Sequence, residues 1–144
     1  MSTQPQSLEI STDPARLDRD WLLATLRATY WAGALTREQM DRSIANSIAF
    51  GVYDNGRQIG FARVVSDRAT FAWLADVIID ETQRGRGIGV KLIETIRAHP
   101  ELQGLRRWML ATRDAHGLYE KFGFGPLPEP ERFMEMRPSE TRSG

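Results

Sequence analysis

Three glycines at alternate positions, Gly85, Gly87 and Gly89, are the clearest sign of a chemical function in the sequence. They stand where an apolar run typical of a buried strand gives way to a helical pattern. The first amides of a helix have no intrahelical partners and carry a partial positive charge, so they can bind a pyrophosphate. Glycine also lets an anion approach the backbone closely. The stretch therefore predicts a phosphate-binding turn.

The arginines beside these glycines can add charge-assisted hydrogen bonds to phosphate oxygens. Two other phosphate loops do not match, because Lys91 lacks the GxxxxGK[ST] context of a Walker loop and GxGxG differs from the dinucleotide fingerprint GxGxxG. The alternative is a flexible turn before an ordinary helix. The predicted phosphate-binding residues are Arg84, Gly85, Arg86, Gly87, Ile88, Gly89 and Val90.

The elements that position this turn follow from hydrophobic periodicity and from turn residues. Thr36 and Gln39 have the spacing of a capping box, and Asp54, Asn55 and Gly56 can close a hairpin. The predicted order is a strand near residues 8–10, helices in DRDWLLATLRATYW and TREQMDRSI, a hairpin in SIAFGVYDNGRQIGFARVVSD, a strand in ATFAWLADVIID, a helix in GVKLIETIRAH, a strand in LRRWMLAT, a helix in DAHGLYEKFGF and a last strand in RFMEMR. This order predicts a mixed α/β fold.

Length and charge limit the function classes. A chain of 144 residues fits one domain over residues 1–144, with an ordered core at about 8–137 and a flexible tail at 138–144. No apolar run is long enough to cross a membrane and no secretory signal begins the chain, so we expect a cytoplasmic protein. With 19 basic and 19 acidic residues, the chain lacks the positive field that attracts nucleic acid.

The sequence contains no cysteine, which excludes disulfides, thiolate metal sites and a cysteine-bound acyl intermediate. His99 and His116 are its only histidines, too few for the usual three-ligand catalytic zinc site. We therefore expect no metal.

The segment IDETQRGRGIG, residues 79–89, resembles the coenzyme A-binding motif of the GNAT N-acetyltransferases. Arg84, Gly87 and Gly89 match its R/Q-x-x-G-x-G/A core. The later segment ATRDAHGLYEKFGF resembles the family's helix with a tyrosine followed by a glycine-phenylalanine pair. The resemblance implies acetyl-CoA as co-substrate. It also implies a largely antiparallel, twisted sheet with helices on both faces and a cleft where two central strands part.

The same resemblance implies roles outside the glycine-rich turn. The backbone of Val77, Ile78 and Ile79 would bind the pantetheine arm and the acetyl carbonyl, while their side chains pack in the sheet core. Tyr119 matches the tyrosine that protonates the coenzyme thiolate in many GNAT enzymes, and a phenol can donate to sulfur. It can otherwise be an ordinary core residue of an amphipathic helix. Thr112 stands where many relatives have an asparagine that contacts the pantetheine arm.

Asp76 interrupts the apolar run ADVII, and an unpaired carboxylate is costly to bury. It can receive the amine substrate, or remove its proton directly or through water with a pKa raised by burial. The position resembles the second acid of an acidic pair in some polyamine-acetylating relatives, but the first position here is Ala75. A structural role, in which Asp76 accepts hydrogen bonds from the neighbouring backbone, is the alternative. His116 is a second candidate base, or else a surface or capping residue.

Tyr30 and Trp31 come at the end of the first predicted helix, in a region that commonly forms part of the acceptor pocket in GNAT enzymes. Two adjacent aromatic rings suit an apolar or aromatic amine. Packing between the first helices and the sheet is the alternative, because Tyr30 continues the helical spacing of Leu22, Leu23 and Leu26.

Together these features predict an N-acetyltransferase in which a primary amine attacks acetyl-CoA directly within a ternary complex. One alternative is a non-catalytic acyl-CoA-binding sensor or regulatory module on the same fold. Another is a protein N-terminal or lysine acetyltransferase. The family resemblance is also compatible with a homodimer.

Overall fold

The central feature of the protein is a five-stranded sheet whose strands lie in the order of the chain. The structure is a computed structural model that describes residues 7–138. Each strand pairs antiparallel with the next, except that the fourth and fifth are parallel. The strands are β1 (Leu8–Ser11), β2 (Ile48–Asp54), β3 (Arg57–Ser66), β4 (Phe71–Ile79) and β5 (Arg107–Met109). The predicted mixed α/β fold with a largely antiparallel sheet is confirmed.

The helices lie between and after the strands in the predicted order. Between residues 8 and 138 they are α1 (Arg19–Arg27), α2 (Arg37–Ala45), α3 (Ile88–Arg97) and α4 (His116–Glu120). The chain divides after Ala111 into two compact units. The first unit contains the sheet with α1, α2 and α3, and the second contains α4.

Helices α1 and α2 cover one face of the sheet, because each has apolar residues at three- and four-residue steps. The start of α2 is fixed by the predicted capping box, in which Thr36 and Gln39 each accept a hydrogen bond of 3.0 Å from the other's backbone amide. The core of this face includes Leu22, Leu26, Met40, Ile44, Ala49, Phe61 and Ile78.

Helix α3 lies on the opposite face of the sheet. Successive strand residues point to opposite faces, so Phe50 points away from the face that Ala49 shares with α1 and α2. The Phe50 ring meets the ring of His99, just beyond α3, with centroids 5.6 Å apart. The predicted arrangement of helices on both faces is thereby confirmed.

The turn between β2 and β3 has the predicted form. Asn55 has a φ of 52° and Gly56 a φ of 84°, and Asp54 pairs with Arg57 across the turn. Two left-handed central residues match the twist of the flanking strands, which explains the choice of asparagine and glycine.

Helix α1 ends at Arg27, earlier than the periodicity predicts. The amide and the hydroxyl of Thr29 both donate to the Leu26 carbonyl, at 3.0 and 2.6 Å, and these bonds tighten the last turn. Tyr30 therefore lies beyond the helix and is 52% exposed. The prediction that Tyr30 joins the apolar face of this helix is wrong.

The second unit has less regular structure than the sequence pattern predicts. Helix α4 spans only five residues, whereas the pattern predicts a helix from Asp114 to Gly123. Residues 133–138 form no strand, and Met134 is almost fully exposed. A strand requires a neighbour for its backbone hydrogen bonds, and none pairs with this segment among residues 7–138. Of the tail predicted at 138–144, residues 139–144 lie outside the described residues.

Gly51 is required by close packing within β2. A Cβ at this position would overlap the Tyr53 hydroxyl and lie 2.8 Å from ring carbon Cζ. Tyr53 is fully buried, so its ring has little room to move. We expect Gly51→Ala to lower the free energy of unfolding by about 1–3 kcal/mol through overpacking, as measured by urea unfolding.

The matched control is Gly33→Ala, in the same unit. A Cβ there meets only the Arg27 carbonyl oxygen, at an ordinary 3.9 Å. We expect the free energy of unfolding to change by less than about 0.5 kcal/mol. Equal losses in the two variants would contradict the packing explanation.

Candidate functional site

Strand β4 and the edge strand β5 part soon after they begin to pair. Their pairing runs from Phe71 and Arg107 to Trp73 and Met109, whereas β4 continues to Ile79. Over residues 74–79, β4 has no partner strand on its β5 side within the described part of the chain. Backbone groups on this side are therefore available to a bound molecule. This open length of β4 contains the three residues predicted to hold a pantetheine arm, Val77, Ile78 and Ile79.

A β-bulge interrupts β4 within its open length. Arg63 pairs with Ala75 and Phe61 with Ile78, so Asp76 and Val77 together lie opposite the single residue between Phe61 and Arg63. Asp76 has a φ of 55°, in the left-handed region. A bulge bends its strand and redirects backbone and side chain, and bulges are frequent beside active sites.

The Asp76 carboxylate is held by two donors from different parts of the first unit. Arg63 Nε donates to Oδ2 at 2.9 Å, and the Trp31 indole Nε1 donates to Oδ1 at 2.9 Å. Arg63 Nη1 also donates to the Ser47 hydroxyl at 3.1 Å. The expectation of an unpaired carboxylate is therefore wrong, because Arg63 provides a largely buried counter-charge.

Tyr30 and Trp31 lie in the connection between α1 and α2, next to this ion pair. Their rings pack edge to face with centroids 4.9 Å apart, and both remain about half exposed. Much of each ring therefore faces solvent and can contact a ligand. Trp31 thus contacts both Tyr30 and Asp76, and the acceptor-binding role of these three residues stays a prediction.

The glycine-rich turn follows β4 after one 3-10 turn, Glu81–Gln83, and opens helix α3. Gly85 has a φ of 87° and Gly87, the residue that caps α3, a φ of 75°. An added Cβ at either residue would meet no atom within 4 Å in the described structure, so these glycines are required by conformation and not by space. Since Gly87 has no side chain to cap the helix, the first amides of α3 can bind an anion.

The two arginines of the turn have different surroundings. Arg86 Nη1 donates to Asp54 Oδ2 at 3.1 Å and also to Gln83. Arg84 is exposed, and its guanidinium makes no hydrogen bond or ion pair with residues 7–138. Arg84 is therefore the arginine that can turn freely toward a phosphate.

The hairpin turn holds the glycine-rich turn through a second ion pair. Arg57 Nη1 lies 3.4 Å from Asp80 Oδ2, and Asp80 accepts a hydrogen bond of 3.0 Å from the Thr82 amide. The Asp80 amide donates to the Ile59 carbonyl at 2.7 Å. Asp54 and Arg57 were not predicted as site residues, because the sequence carries no signal that two distant turns meet.

The second unit contains the remaining predicted residues. The Thr112 hydroxyl oxygen accepts a hydrogen bond of 3.0 Å from the Ala115 amide, at the start of α4. Tyr119 is buried, and its ring packs edge to face with Phe124 at 6.0 Å. His116 is exposed on the first turn of α4. The predicted roles of Thr112, Tyr119 and His116 stay predictions.

Two negative findings apply to residues 7–138. They contain no group of three or more histidine, cysteine, aspartate or glutamate side chains that could hold a metal ion. None of their helices has the length and apolar character needed to span a membrane.

Proteins of known family resemble this chain in sequence and in fold. The family model described as an acetyltransferase (GNAT) domain matches residues 45–126. A curated relative from Gibberella zeae, assigned as an acetyltransferase, is 32% identical over 135 residues, covering 78% of this chain and 75% of the relative. The chain belongs to the GNAT acetyltransferase family.

Solved structures agree with this assignment. A protein from Xanthomonas campestris pv. campestris, assigned to the GNAT family, is 46% identical, with a TM-score of 0.88 over 90% of this chain and 92% of that chain. An acetyltransferase from Clostridium acetobutylicum, solved with acetyl-CoA, has a TM-score of 0.68 over 92% of this chain and 97% of that chain. Its identity is 13%, so it shows the shared fold alone.

The pKa of Asp54 tests the contact between the two turns. Hydrogen bonds from Ser7 and from Arg86 hold the pKa of the Asp54 carboxyl below its ordinary value. Arg86→Gln removes a donor and a positive charge that favour the carboxylate, so we expect the Asp54 pKa to rise. The measurement is a carboxyl carbon NMR titration.

Arg84→Gln provides the control. It also removes one positive charge, two residues before Arg86, but the Arg84 guanidinium does not contact Asp54. We expect it to leave the Asp54 pKa close to that of the native protein. Because the pKa of Asp54 is lowered in the folded state, its carboxylate stabilises the fold at pH values above the unfolded-state pKa. This contribution is lost as the pH falls through the folded-state pKa. An Asp54 pKa unchanged by Arg86→Gln would mean that the ion pair does not form in solution.

Proposed function

We propose that the protein is an N-acetyltransferase that moves the acetyl group of acetyl-CoA to a primary amine in the cytoplasm. The observation that carries this proposal is the open length of β4, which is followed, after residues 80–87, by the uncapped, glycine-rich start of α3. One continuous segment thus offers free strand backbone and then helix amides, in the order in which an acyl-pantetheine arm and a pyrophosphate follow each other. The Clostridium acetobutylicum protein, which shares the fold, was solved with acetyl-CoA, and the proposal assigns the same ligand to this chain.

In this proposal the coenzyme lies along β4 and ends at the turn. The amides of residues 85–90 bind the pyrophosphate, and Arg84 adds a charge-assisted hydrogen bond. The backbone of Val77, Ile78 and Ile79 binds the pantetheine arm. Thr112 uses its oxygen to accept from Ala115, and its hydroxyl hydrogen can still donate to a pantetheine carbonyl.

The transfer itself needs an acid, a base and support for an oxyanion. The neutral amine attacks the thioester carbonyl carbon, the new C–N bond forms, and the tetrahedral intermediate collapses with loss of the thiolate. A backbone amide on the open length of β4 donates to the developing oxyanion. Tyr119 gives its proton to the departing sulfur, and the proton of the attacking amine leaves to water, to exposed His116 or to Asp76.

The acceptor is proposed to bind against the aromatic pair near the bulge. Tyr30 and Trp31 present half-exposed rings beside Asp76. The apolar or aromatic body of an amine could pack on these rings, with its nitrogen toward the polar Asp76. The charge of Asp76 is balanced by Arg63, and the site therefore favours one amine over a polyamine that needs several carboxylates.

Coenzyme binding depends on the backbone conformation at Gly87. A left-handed φ costs a residue with a side chain about 1–2 kcal/mol. We expect Gly87→Ala to weaken acetyl-CoA binding by roughly tenfold, as measured by calorimetry. Gly87→Asn is the matched control, because asparagine tolerates the left-handed region, and it should bind more tightly than the alanine variant. Equal affinities for all three proteins would argue against a role for this turn.

Tyr119→Phe tests the proposed acid. The variant retains the ring and its contact with Phe124 but cannot donate a proton to sulfur. We expect kcat to fall by about 10²–10⁴-fold, with acetyl-CoA affinity unchanged, in an assay of thiol release over small amines, amino acids and peptides.

Tyr53→Phe is the control for loss of a phenol, since the Tyr53 hydroxyl is buried without a hydrogen-bond partner in the described structure. Its kcat should match that of the native protein. Acetyl-CoA binding without release to any acceptor would favour the sensor alternative. Release with peptides alone would favour a protein acetyltransferase.

A further inference from the structure

We propose that Asp76, Arg63 and Trp31 form a positioning network that holds the β4 bulge in the conformation needed for acyl transfer. In this network Asp76 acts through the backbone and is not the proton acceptor. The inference rests on the proposed function, because it assigns a task to residues beside the proposed acyl site. It also removes Asp76 from the three candidate bases, leaving His116 and water.

The bulge needs such support because its conformation is intrinsically unfavourable. Asp76 has a φ of 55°, and residues with side chains keep a left-handed φ only where the surroundings determine it. Aspartate tolerates this region better than most residues. Two hydrogen bonds of 2.9 Å, one to each carboxylate oxygen, supply the remaining constraint.

The same constraint determines where the next amide points. The peptide between Asp76 and Val77 is planar, so its direction depends on the backbone angles of Asp76 and Val77. Val77 is the first residue predicted to bind the acyl-pantetheine arm. Releasing the Asp76 side chain would therefore rotate an amide that the proposed mechanism uses.

The hydrogen bonds also argue against Asp76 as a base. Both of its oxygens already accept from donors, one of them a guanidinium, and the carboxylate is mostly shielded from solvent. A proton arriving from the amine would have to compete with Arg63. A group that acts as a base instead needs an oxygen or nitrogen that can reach the amine and accept its proton.

The network joins four segments of the first unit. Arg63 lies on β3 and donates to Ser47, just before β2, while Asp76 lies on β4. Trp31 lies in the connection between α1 and α2 and is one of the two proposed acceptor-binding rings. A single indole hydrogen bond thus fixes the acceptor surface relative to the acyl site.

The experiment compares Trp31→Phe, Asp76→Asn and the double variant. Trp31→Phe keeps an aromatic ring but removes the N–H donor, and it changes no titratable group. Asp76→Asn keeps the size and the tolerance of positive φ but removes the charge. Trp73→Phe is the matched control, since Trp73 lies on the same strand outside the network.

For a positioning network, both single variants should lower kcat/KM by about 10- to 100-fold, as expected from misplacement of the reacting groups. The pH at which kcat/KM reaches half its maximum should not move. The double variant should be about as slow as the slower single variant, because both changes break one network. Trp73→Phe should retain kcat/KM.

Loss of the acidic limb of the pH profile in Asp76→Asn, with little effect of Trp31→Phe, would identify Asp76 as the base and overturn the proposal. Amide NMR shifts of residues 76–78 give a readout that needs no turnover. We expect them to change in Trp31→Phe and to stay near native values in Trp73→Phe. Unchanged shifts in Trp31→Phe would refute the network even in an active enzyme, whereas changed shifts without acetyl transfer by the native protein would refute only the proposed function.

Discussion

The organisation of the first unit depends on the unequal pairing of strand β4. On its β3 side it is hydrogen-bonded at both ends, with one bulge between, but on its β5 side pairing stops at Trp73. Backbone amides and carbonyls need partners, so the unpaired edge must be satisfied by solvent or by a ligand. The chain then passes from this edge into the glycine-rich turn. The open edge of β4 and the first amides of α3 thus provide two adjoining rows of backbone donors, and neither row depends on a specialised side chain.

Distant residues hold this open edge in place. At the bulge within β4, Arg63 and Trp31 donate hydrogen bonds to Asp76. At the end of the strand, the β2–β3 turn holds the glycine-rich turn through Asp54 and Arg57. The backbone that meets the proposed coenzyme is therefore positioned by ion pairs whose members come from separate segments.

Features encoded by neighbouring residues were predictable from the sequence. The Thr36 and Gln39 capping box, the Asn55–Gly56 turn and the glycine-rich helix start each depend on a few consecutive residues, and each forms as predicted. The end of α1 was placed too late, because a hydroxyl of Thr29 that closes the last turn is not visible as a break in hydrophobic spacing.

Features that depend on distant pairing could not be predicted. Trp31 and Asp76 are separated by 45 positions, and nothing in either local pattern indicates their contact. The Asp76 carboxylate could be singled out as unusual, but its partner and the bulge follow from strand register. The strand predicted in RFMEMR does not form, for the same reason. Its apolar pattern carries no information on whether a neighbouring strand is present.

The two ion pairs between the turns have opposite polarity. In one the acid Asp54 is on the hairpin and the base Arg86 on the glycine-rich turn, and in the other the base Arg57 is on the hairpin and the acid Asp80 precedes the turn. The charges cancel within each pair, so neither pair adds net charge beside the turn. In the proposed complex the coenzyme phosphates would be held mainly by short-range amide contacts, which dissolved salt screens weakly. Such a site would bind a polyanion with little dependence on ionic strength.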